Sequence, residues 1–455
     1  MTYDLIVIGG GPAGYLGAER AAQAGLKTMV IEKQYIGGVC LNVGCIPSKT
    51  LLYSAKLYDG VKYGDKYGVS ASGLELNHAA IVDRKNKVVK ALTGGVRTQL
   101  KKAGVTIVEG MAQIDGRASD GYAVRVGNDV YTATRLLIAT GSVPAVPPIK
   151  GLDAGLKSGF VVTSNEIFDL TAIPSSLVVI GGGVIGLEMA SYFNSAGSKI
   201  TVVELLDRIG GNIDSEIAGL LQEEYSQKGV EFRLSSKVVE IADRSVICES
   251  NGERVAIEAD KVLLSVGRKP VVDGFGLETI GVEVEKGHIK VDEQGRTNVP
   301  RVYAAGDVNG RSMLAHTAYR EAEVCVNHMT GRKDKVAYDS IPLVIYTNPE
   351  VAAAGETEES ARAKGIDFDT VNLSMRFSGR YLAENQGGRG ICKVLVEKSS
   401  RRIIGVHMIA NYASEIIYGA GMMIDRAMTV EDIRRTVFPH PTVSEIIREC
   451  VWEIS

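Results

Sequence analysis

Leu5-Ile6-Val7-Ile8-Gly9-Gly10-Gly11-Pro12-Ala13-Gly14 joins a short apolar run to a G-x-G-x-x-G string, and the reading of that junction decides the fold. The run has the composition of a buried parallel strand, and the string opens a helix that is expected to end near Gly25. A second strand, Lys27-Thr28-Met29-Val30-Ile31-Glu32, follows. Strand, glycine turn, helix, strand and terminal acid in this order form a dinucleotide site. Gly9, Gly11 and Gly14 let the backbone approach a pyrophosphate, the helix N-terminus stabilises its charge, and Glu32 is placed to accept from a ribose.

The unit occurs twice. Leu177-Val178-Val179-Ile180 runs into Gly181-Gly182-Gly183-Val184-Ile185-Gly186, a helix reaches Gly197, and Lys199 to Glu204 closes the copy. Gly14 to Glu32 spans 18 positions, and so does Gly186 to Glu204. The repeat predicts an α/β fold with two Rossmann-like dinucleotide-binding domains. In the second site Gly181, Gly183, Val184, Ile185, Gly186 and Glu204 are the candidate contacts, and a free ribose on Glu204 means NAD rather than NADP.

Between the copies lies Gly37-Gly38-Val39-Cys40-Leu41-Asn42-Val43-Gly44-Cys45-Ile46-Pro47-Ser48-Lys49-Thr50. Pro47 suits a first helical turn, and Leu51, Leu52, Ala55 and Tyr58 continue at helical spacing, so Cys45 stands beside a helix N-terminus. Positive charge there favours a thiolate. Residues five apart on a regular helix lie about 8 Å from each other, too far for a disulfide, so pairing Cys40 with Cys45 needs an irregular turn, which Gly44 supplies. Zinc is an alternative at this spacing but needs a second ligand pair. Cys248, Cys325, Cys392 and Cys450 are expected to be isolated from one another, and no two histidines stand at ligand spacing, so no metal is expected. A static disulfide is the other alternative and is uncommon in a reducing compartment. A redox pair flanked by two dinucleotide sites implies electrons passing between a nicotinamide and a disulfide through a flavin.

At 455 residues the chain is expected to form about three domains. A formal net charge of -3 offers no basic face to nucleic acid or anionic lipid. Apolar stretches such as Leu177 to Leu187 are too short to cross a bilayer, and the N-terminus shows no basic region ahead of its apolar run, so a cytoplasmic setting is expected.

With these motifs in view the chain resembles the class I pyridine nucleotide–disulfide oxidoreductases along its whole length. The resemblance implies that Cys45 faces FAD, that Cys40 exchanges with substrate, and that Lys49 lies near the flavin and pairs with Glu188. Read by themselves, Lys49 is a solvated first-turn lysine and Asp307 a turn cap. Ala139-Thr140-Gly141-Ser142, Asp307 and Met313-Leu314-Ala315-His316 resemble the family's flavin-lining segments, to which Lys33 and Ala112 are added, while Val238 and Gly267 join the NAD contacts. The proline-rich Pro144 to Pro148 reads as the crossing to the nicotinamide domain, and Ser265 to Pro270 as the return, with Val271 where the family usually has asparagine. The expected domains are 1–145 with 273–340 for FAD, 146–272 for NAD, and a C-terminal α+β interface domain over 341–455.

That last domain ends in Phe438-Pro439-His440-Pro441-Thr442-Val443-Ser444-Glu445, similar to the family's HPT-x-x-E segment. The resemblance makes His440 a base oriented by Glu445 and places it across a homodimer interface. It implies oxidation of protein-bound dihydrolipoamide with NAD, the partners being lipoyl domains of a 2-oxoacid dehydrogenase complex or a glycine-cleavage system. No lipoyl-like segment precedes Met1, so that association is expected to be non-covalent. Glutathione-type reductases use NADPH, against which Glu204 argues. Mercuric reductases carry a C-terminal cysteine pair where only Cys450 stands. A flavin-binding scaffold without turnover leaves the thiol pair, His440 and Glu445 without a purpose.

Overall fold

The strand Thr2–Ile8 is buried on both faces: Leu5 and Val7 belong to one apolar cluster, and Ile6 and Ile8 to another on the opposite side of the sheet. Such two-sided burial is why the run reads as continuously apolar. The structure, a computed structural model, describes residues 2–455; Met1, the first residue of the expected flavin domain, lies outside them. Thr2–Ile8 pairs in parallel with Thr28–Glu32 and with Asp129–Ile138, so that Ile8 stands opposite both Ile31 and Ile138. Thr106–Glu109 adds beyond Thr28–Glu32, Val302–Ala304 pairs in parallel with the end of Asp129–Ile138, and two antiparallel strands complete a seven-stranded sheet. The Pro12–Gln23 and Ala315–Met329 helices pack together on one side of it.

These elements form one of two compact units, residues 2–50, 82–145 and 267–336. The other comprises residues 51–81, 146–266 and 337–455. Its first sheet is all parallel, in the order Glu231–Arg233, Lys199–Val203, Ser176–Ile180, Lys261–Leu264, Val161–Thr163. Its last is a five-stranded antiparallel sheet in which Ile403–Ala410 lies between Glu350–Gly355 and Ile391–Glu397. The helices Ala413–Asp425 and Glu445–Trp452 pack on it. The stretch 51–81, taken with the flavin domain in the sequence reading, is grouped with the second unit because Leu51, Leu52 and Ala55 share a core with Leu187, Tyr192 and Phe193. The nicotinamide and interface segments fall in that same unit.

One expectation is corrected. Cys392 and Cys450, far apart in sequence, are neighbours: the strand Ile391–Glu397 and the helix Glu445–Trp452 pack together, and the Cys450 thiol donates to the Cys392 carbonyl at 3.5 Å. Both are fully buried in the apolar core, and the Cys450 side chain together with burial pushes the Cys392 thiol well up. The pair is packing, with no path to a substrate.

Candidate active site

The two glycine loops are built alike. Gly9 and Gly181 hold φ of +105° and +101°, a backbone region that favours glycine. A Cβ on Gly14 would lie 1.8 Å from the Gly9 carbonyl oxygen, and one on Gly186 would lie 2.1 Å from that of Gly181. Each helix can therefore approach its strand only without a side chain there. A Cβ on Gly183 would meet nothing within 4 Å, and one on Gly11 only the Cα of Gly38 at 3.7 Å. Both glycines are helix N-caps without a side-chain cap, so each loop leaves an open recess at a helix N-terminus, the shape and polarity that a pyrophosphate needs.

Glu32 and Glu204 do more than await a ribose. Glu32 accepts from the amides of Gly10 at 2.6 Å and Gln34 at 2.7 Å, while Glu204 accepts from those of Gly182 at 2.6 Å and Leu206 at 2.8 Å. Each acid thus braces its own glycine turn, and the lone pairs left on each carboxylate remain for hydroxyl donors.

The thiol segment is fastened to the first loop. The Gly37 amide donates to the Gly10 carbonyl at 2.8 Å, and a Cβ on Gly38 would come within 2.5 Å of the Gly11 Cα. Asn42 Nδ2 ties back to the Gly38 carbonyl at 2.8 Å. The helix Gly38–Val43 ends at Gly44, and a new helix, Cys45–Lys62, begins at Cys45 itself. A Cβ on Gly44 would stand 2.9 Å from the Val39 carbonyl oxygen and 3.3 Å from the Cys40 Cα, so the break that brings the two cysteines together requires glycine. The half-buried Cys40 is hydrogen-bonded to the Cys45 side chain; that bond, with burial, pushes the Cys40 thiol far up, against the pull of the Lys49 charge. Lys49 is half-buried on the first turn of the Cys45 helix.

Around this segment the first unit gathers Thr140, Gly141, Ser142 and Asp307. Thr140 Oγ1 donates to the Val271 carbonyl at 2.7 Å, and the Val271 amide donates to that of Gly141 at 2.9 Å. These are backbone and hydroxyl ties, which valine supports as well as asparagine. Ser142 Oγ donates to Asp307 Oδ2 at 2.5 Å and accepts from Arg268 Nε at 2.7 Å. Burial pulls Arg268 below its ordinary value, against the negative charges of Asp307, Cys45 and Tyr35. Arg268 and the buried Glu321 were assigned no role from sequence. Glu321 accepts from the Gly306 amide at 2.6 Å and from Asn309 Nδ2 at 2.8 Å, holding the turn that carries Asp307. The signal for Arg268 was its place beside Gly267 in the return segment; a helical glutamate such as Glu321 offered none. Leu314 caps the Ala315–Met329 helix, with Met313 and His316 exposed beside it. Ala112 is buried at the start of the strand Ala112–Ala118, and Lys33 is exposed just after Glu32.

In the second unit Val184, Ile185 and Gly186 form the first turn of the Val184–Ser195 helix, which also carries the buried Glu188. One Glu188 oxygen accepts from the Tyr346 amide at 3.1 Å. Val238 lies buried in the strand Lys237–Ala242, opposite Cys248. Gly267 is grouped with the first unit, where its carbonyl accepts from the Ala145 amide at 3.0 Å. The His440 side chain is 78% exposed, and its Nδ1 meets Glu445 Oε1 at 3.0 Å, while Glu445 Oε2 accepts from the Thr442 amide at 2.8 Å. Burial raises the Glu445 carboxyl, but the Thr442 amide and then His440 outweigh it and hold the group below its ordinary range. The acid stays ionised and fixes the ring, leaving Nε2 turned to solvent.

Residues 3–322 match the pyridine nucleotide-disulphide oxidoreductase family, and residues 341–451 match that family's dimerisation domain. The chain belongs to this family. It is similar to dihydrolipoyl dehydrogenase of Mycoplasma pneumoniae, 37% identical over 99% of this chain and 98% of the relative. It is also similar to mitochondrial dihydrolipoyl dehydrogenase of Pisum sativum, 40% identical over 98% of this chain and 90% of the relative. Among solved structures, LpdA of Mycobacterium tuberculosis superposes with a TM-score of 0.89 at 26% identity, covering 99% of both chains. As a member of the family the protein is a flavoprotein disulfide oxidoreductase that uses FAD and NAD and forms a homodimer. The two open glycine recesses and their acids fit the two dinucleotides. No helix among the described residues is long and apolar enough to cross a membrane.

Proposed function

We propose that the protein oxidises protein-bound dihydrolipoamide to lipoamide and reduces NAD+. The observation that carries this reading is the Cys40–Cys45 pair, joined through the Gly44 break and fastened to the first glycine loop. Likeness along the whole chain to dihydrolipoyl dehydrogenases supports the substrate.

Gly9, Gly11, Gly14, Glu32, Lys33, Lys49, Ala112, Thr140, Gly141, Ser142, Asp307 and the segment from Met313 to His316 would hold FAD. Gly181, Gly183, Val184, Ile185, Gly186, Glu204, Val238 and Gly267 would hold NAD. Bound FAD supplies the link between two-electron thiol chemistry and hydride transfer to NAD+.

The chain's own residues carry the dithiol half. His440, oriented by Glu445, takes a proton from one substrate thiol, and the thiolate attacks the Cys40 sulfur. The Cys40–Cys45 bond breaks and Cys45 leaves as thiolate, favoured by the helix N-terminus at which it stands. The second substrate thiol then attacks the mixed disulfide and gives up its own proton to solvent, releasing oxidised substrate and Cys40, which takes up the proton held by His440. The raised Cys40 thiol suits this protonated product. The exposure of His440 suits a base that serves the thiols of the other subunit of a homodimer. Lipoyl domains of a 2-oxoacid dehydrogenase complex or a glycine-cleavage system are the proposed partners, and the cytoplasm, which keeps such thiols reducible, the proposed compartment.

The test is a steady-state assay of purified protein with NAD+ or NADP+ and with dihydrolipoamide, glutathione or mercuric ion. Turnover with dihydrolipoamide and NAD+ is expected. Preference for glutathione or mercuric ion would replace the reading with another disulfide reductase, and a yellow, dithiol-inert protein would leave a flavin-binding scaffold.

A further inference from the structure

His440 stands between Pro439 and Pro441, neither of which has an amide proton to give, so the loop that carries the base is short of backbone ties. Thr442 makes up for them. Its amide donates to Glu445 Oε2 at 2.8 Å, and its hydroxyl donates to the Pro439 carbonyl at 2.8 Å and lies 2.8 Å from Ser444 Oγ. All three contacts stay within the loop and its helix. The Thr442 carbonyl reaches further, accepting from Ser378 Oγ at 3.0 Å. Among the described residues, this is the one hydrogen bond that joins residues 438–444 to a segment outside the loop and the Glu445–Trp452 helix.

Ser378 is itself firmly held. It is 1% exposed, against 78% for the His440 side chain, and it lies in the connection between the strands Phe368–Ser374 and Ile391–Glu397. Its amide donates to the Met375 carbonyl at 2.9 Å, and the Met375 amide donates to that of Gly390 at 2.8 Å. Its hydroxyl accepts from the Tyr381 amide at 3.2 Å, so the single hydroxyl proton is committed to Thr442. The Glu445–Trp452 helix packs on the same two strands. Acid and base are thus anchored on one strand pair by separate routes, Glu445 through its helix and His440 through Thr442 and Ser378. Val443 is buried in the core there and Phe438 packs against it, which holds the loop down. Apolar burial has no direction, however, and the aim of the ring is left to the hydrogen bonds.

We propose that Ser378 is a positioning residue of the dithiol half-reaction: its hydroxyl, by holding the Thr442 carbonyl, keeps His440 Nδ1 on Glu445 and leaves Nε2 aimed outward. This role rests on His440 being the base that takes the substrate proton. Ser378 touches neither substrate nor cofactor in that role and acts only through the loop. Its loss frees the Thr442 carbonyl, and the ring then samples orientations in which Nε2 is out of reach of a substrate thiol. A shift of about 1 Å in a catalytic group costs up to about 100-fold in rate, so a loosened loop that still visits the productive position should lose about tenfold.

The test is a double-mutant cycle on FAD-loaded dimer, reduced without oxygen by graded concentrations of dihydrolipoamide and followed by stopped-flow absorbance. Ser378→Ala is expected to lower the limiting rate about tenfold and to change the half-saturating concentration by less than about twofold, whereas Ser378→Thr, which keeps the hydroxyl, should stay near wild type. In the His440→Gln background Ser378→Ala should cost less than about twofold more, because the group it positions is gone. If Ser378→Ala does not fold, Ser378→Cys, of similar size and a weak donor, is read in its place. An unchanged limiting rate in Ser378→Ala, with or without a lower melting temperature, overturns the role of Ser378. So does the same tenfold loss in both backgrounds, which marks a general structural defect. Wild type that dihydrolipoamide does not reduce, or His440→Gln that is reduced as fast as wild type, overturns the base reading and this role together. His440→Gln that is slow while Ser378→Ala matches wild type overturns Ser378 alone.

Discussion

The two glycine-loop units agree further than their spacing suggests, and then part abruptly. In each, the loop's middle glycine donates to the closing glutamate at 2.6 Å, and its carbonyl accepts at 2.8 Å from a later glycine, Gly37 in the first copy and Gly210 in the second. Ile36 and Ile209 approach the middle glycines Gly10 and Gly182 in the same way, so Ile36-Gly37-Gly38 and Ile209-Gly210-Gly211 are the same device repeated. After it the first copy runs into the Gly38–Val43 helix, the Gly44 break and the two thiols. The second runs into Asp214, which caps the Ser215–Gln227 helix and binds Lys393 Nζ through both oxygens at 3.0 Å. The duplicated part makes a cradle. The divergent part makes one copy a reaction centre and the other a buried anchor.

If reactivity is confined to the first copy and to the His440 loop, damage to that loop should be the most costly to turnover. His440→Gln should slow reduction of the protein by dihydrolipoamide by about 10²–10⁴-fold, the range for a positioned base, with flavin content unchanged, as followed by stopped-flow absorbance. If the second copy's extension is an anchor, removing its cation should damage stability and spare the thiols. Lys393 also meets Glu216 at 2.9 Å and is almost fully buried with Asp214, so Lys393→Met leaves buried carboxylate without its charge partner. A loss of about 3–5 kcal/mol is expected in denaturant titration, with dithiol labelling at Cys40 and Cys45 unchanged.

The smallest effect distinguishes the cradles from each other. NAD should be preferred over NADP by about tenfold or more in kcat/KM, about 1.4 kcal/mol, because Glu204 repels a 2′-phosphate. Glu204→Ala should narrow that gap without releasing flavin, and Glu32→Ala should release flavin without narrowing it. Both changes also free a glycine amide, so each should loosen its own loop alone. Equal loss of both cofactors in either variant would mean that the two copies are not independent.

Much of this was legible because a parallel strand buried on both faces and a glycine turn under a helix leave strong local marks. The two cofactor loops, the thiol pair, the Gly44 break and the His440–Glu445 contact all follow from residues close in sequence. What was missed depends on long-range packing. Arg268 meets Ser142 across 126 positions and Asp307 across 39, and Cys450 meets Cys392 across 58. The second task of Glu32 and Glu204, bracing the turn, was hidden because a ribose acceptor and a loop brace call for the same residue. The repeated Ile-Gly-Gly escaped the register match because it falls four positions after Glu32 and five after Glu204.

The central claim is that Cys40 and Cys45 alone among the six cysteines cycle with substrate. Alkylation mapping of native FAD-loaded dimer, before and after one equivalent of dihydrolipoamide per subunit without oxygen, tests it most directly. The account predicts that Cys40 and Cys45 are blocked at the start and both labelled after reduction, while the buried Cys248, Cys325, Cys392 and Cys450 stay unlabelled throughout. Labelling of Cys40 and Cys45 that ignores dihydrolipoamide, or new labelling at Cys392 and Cys450, would contradict it.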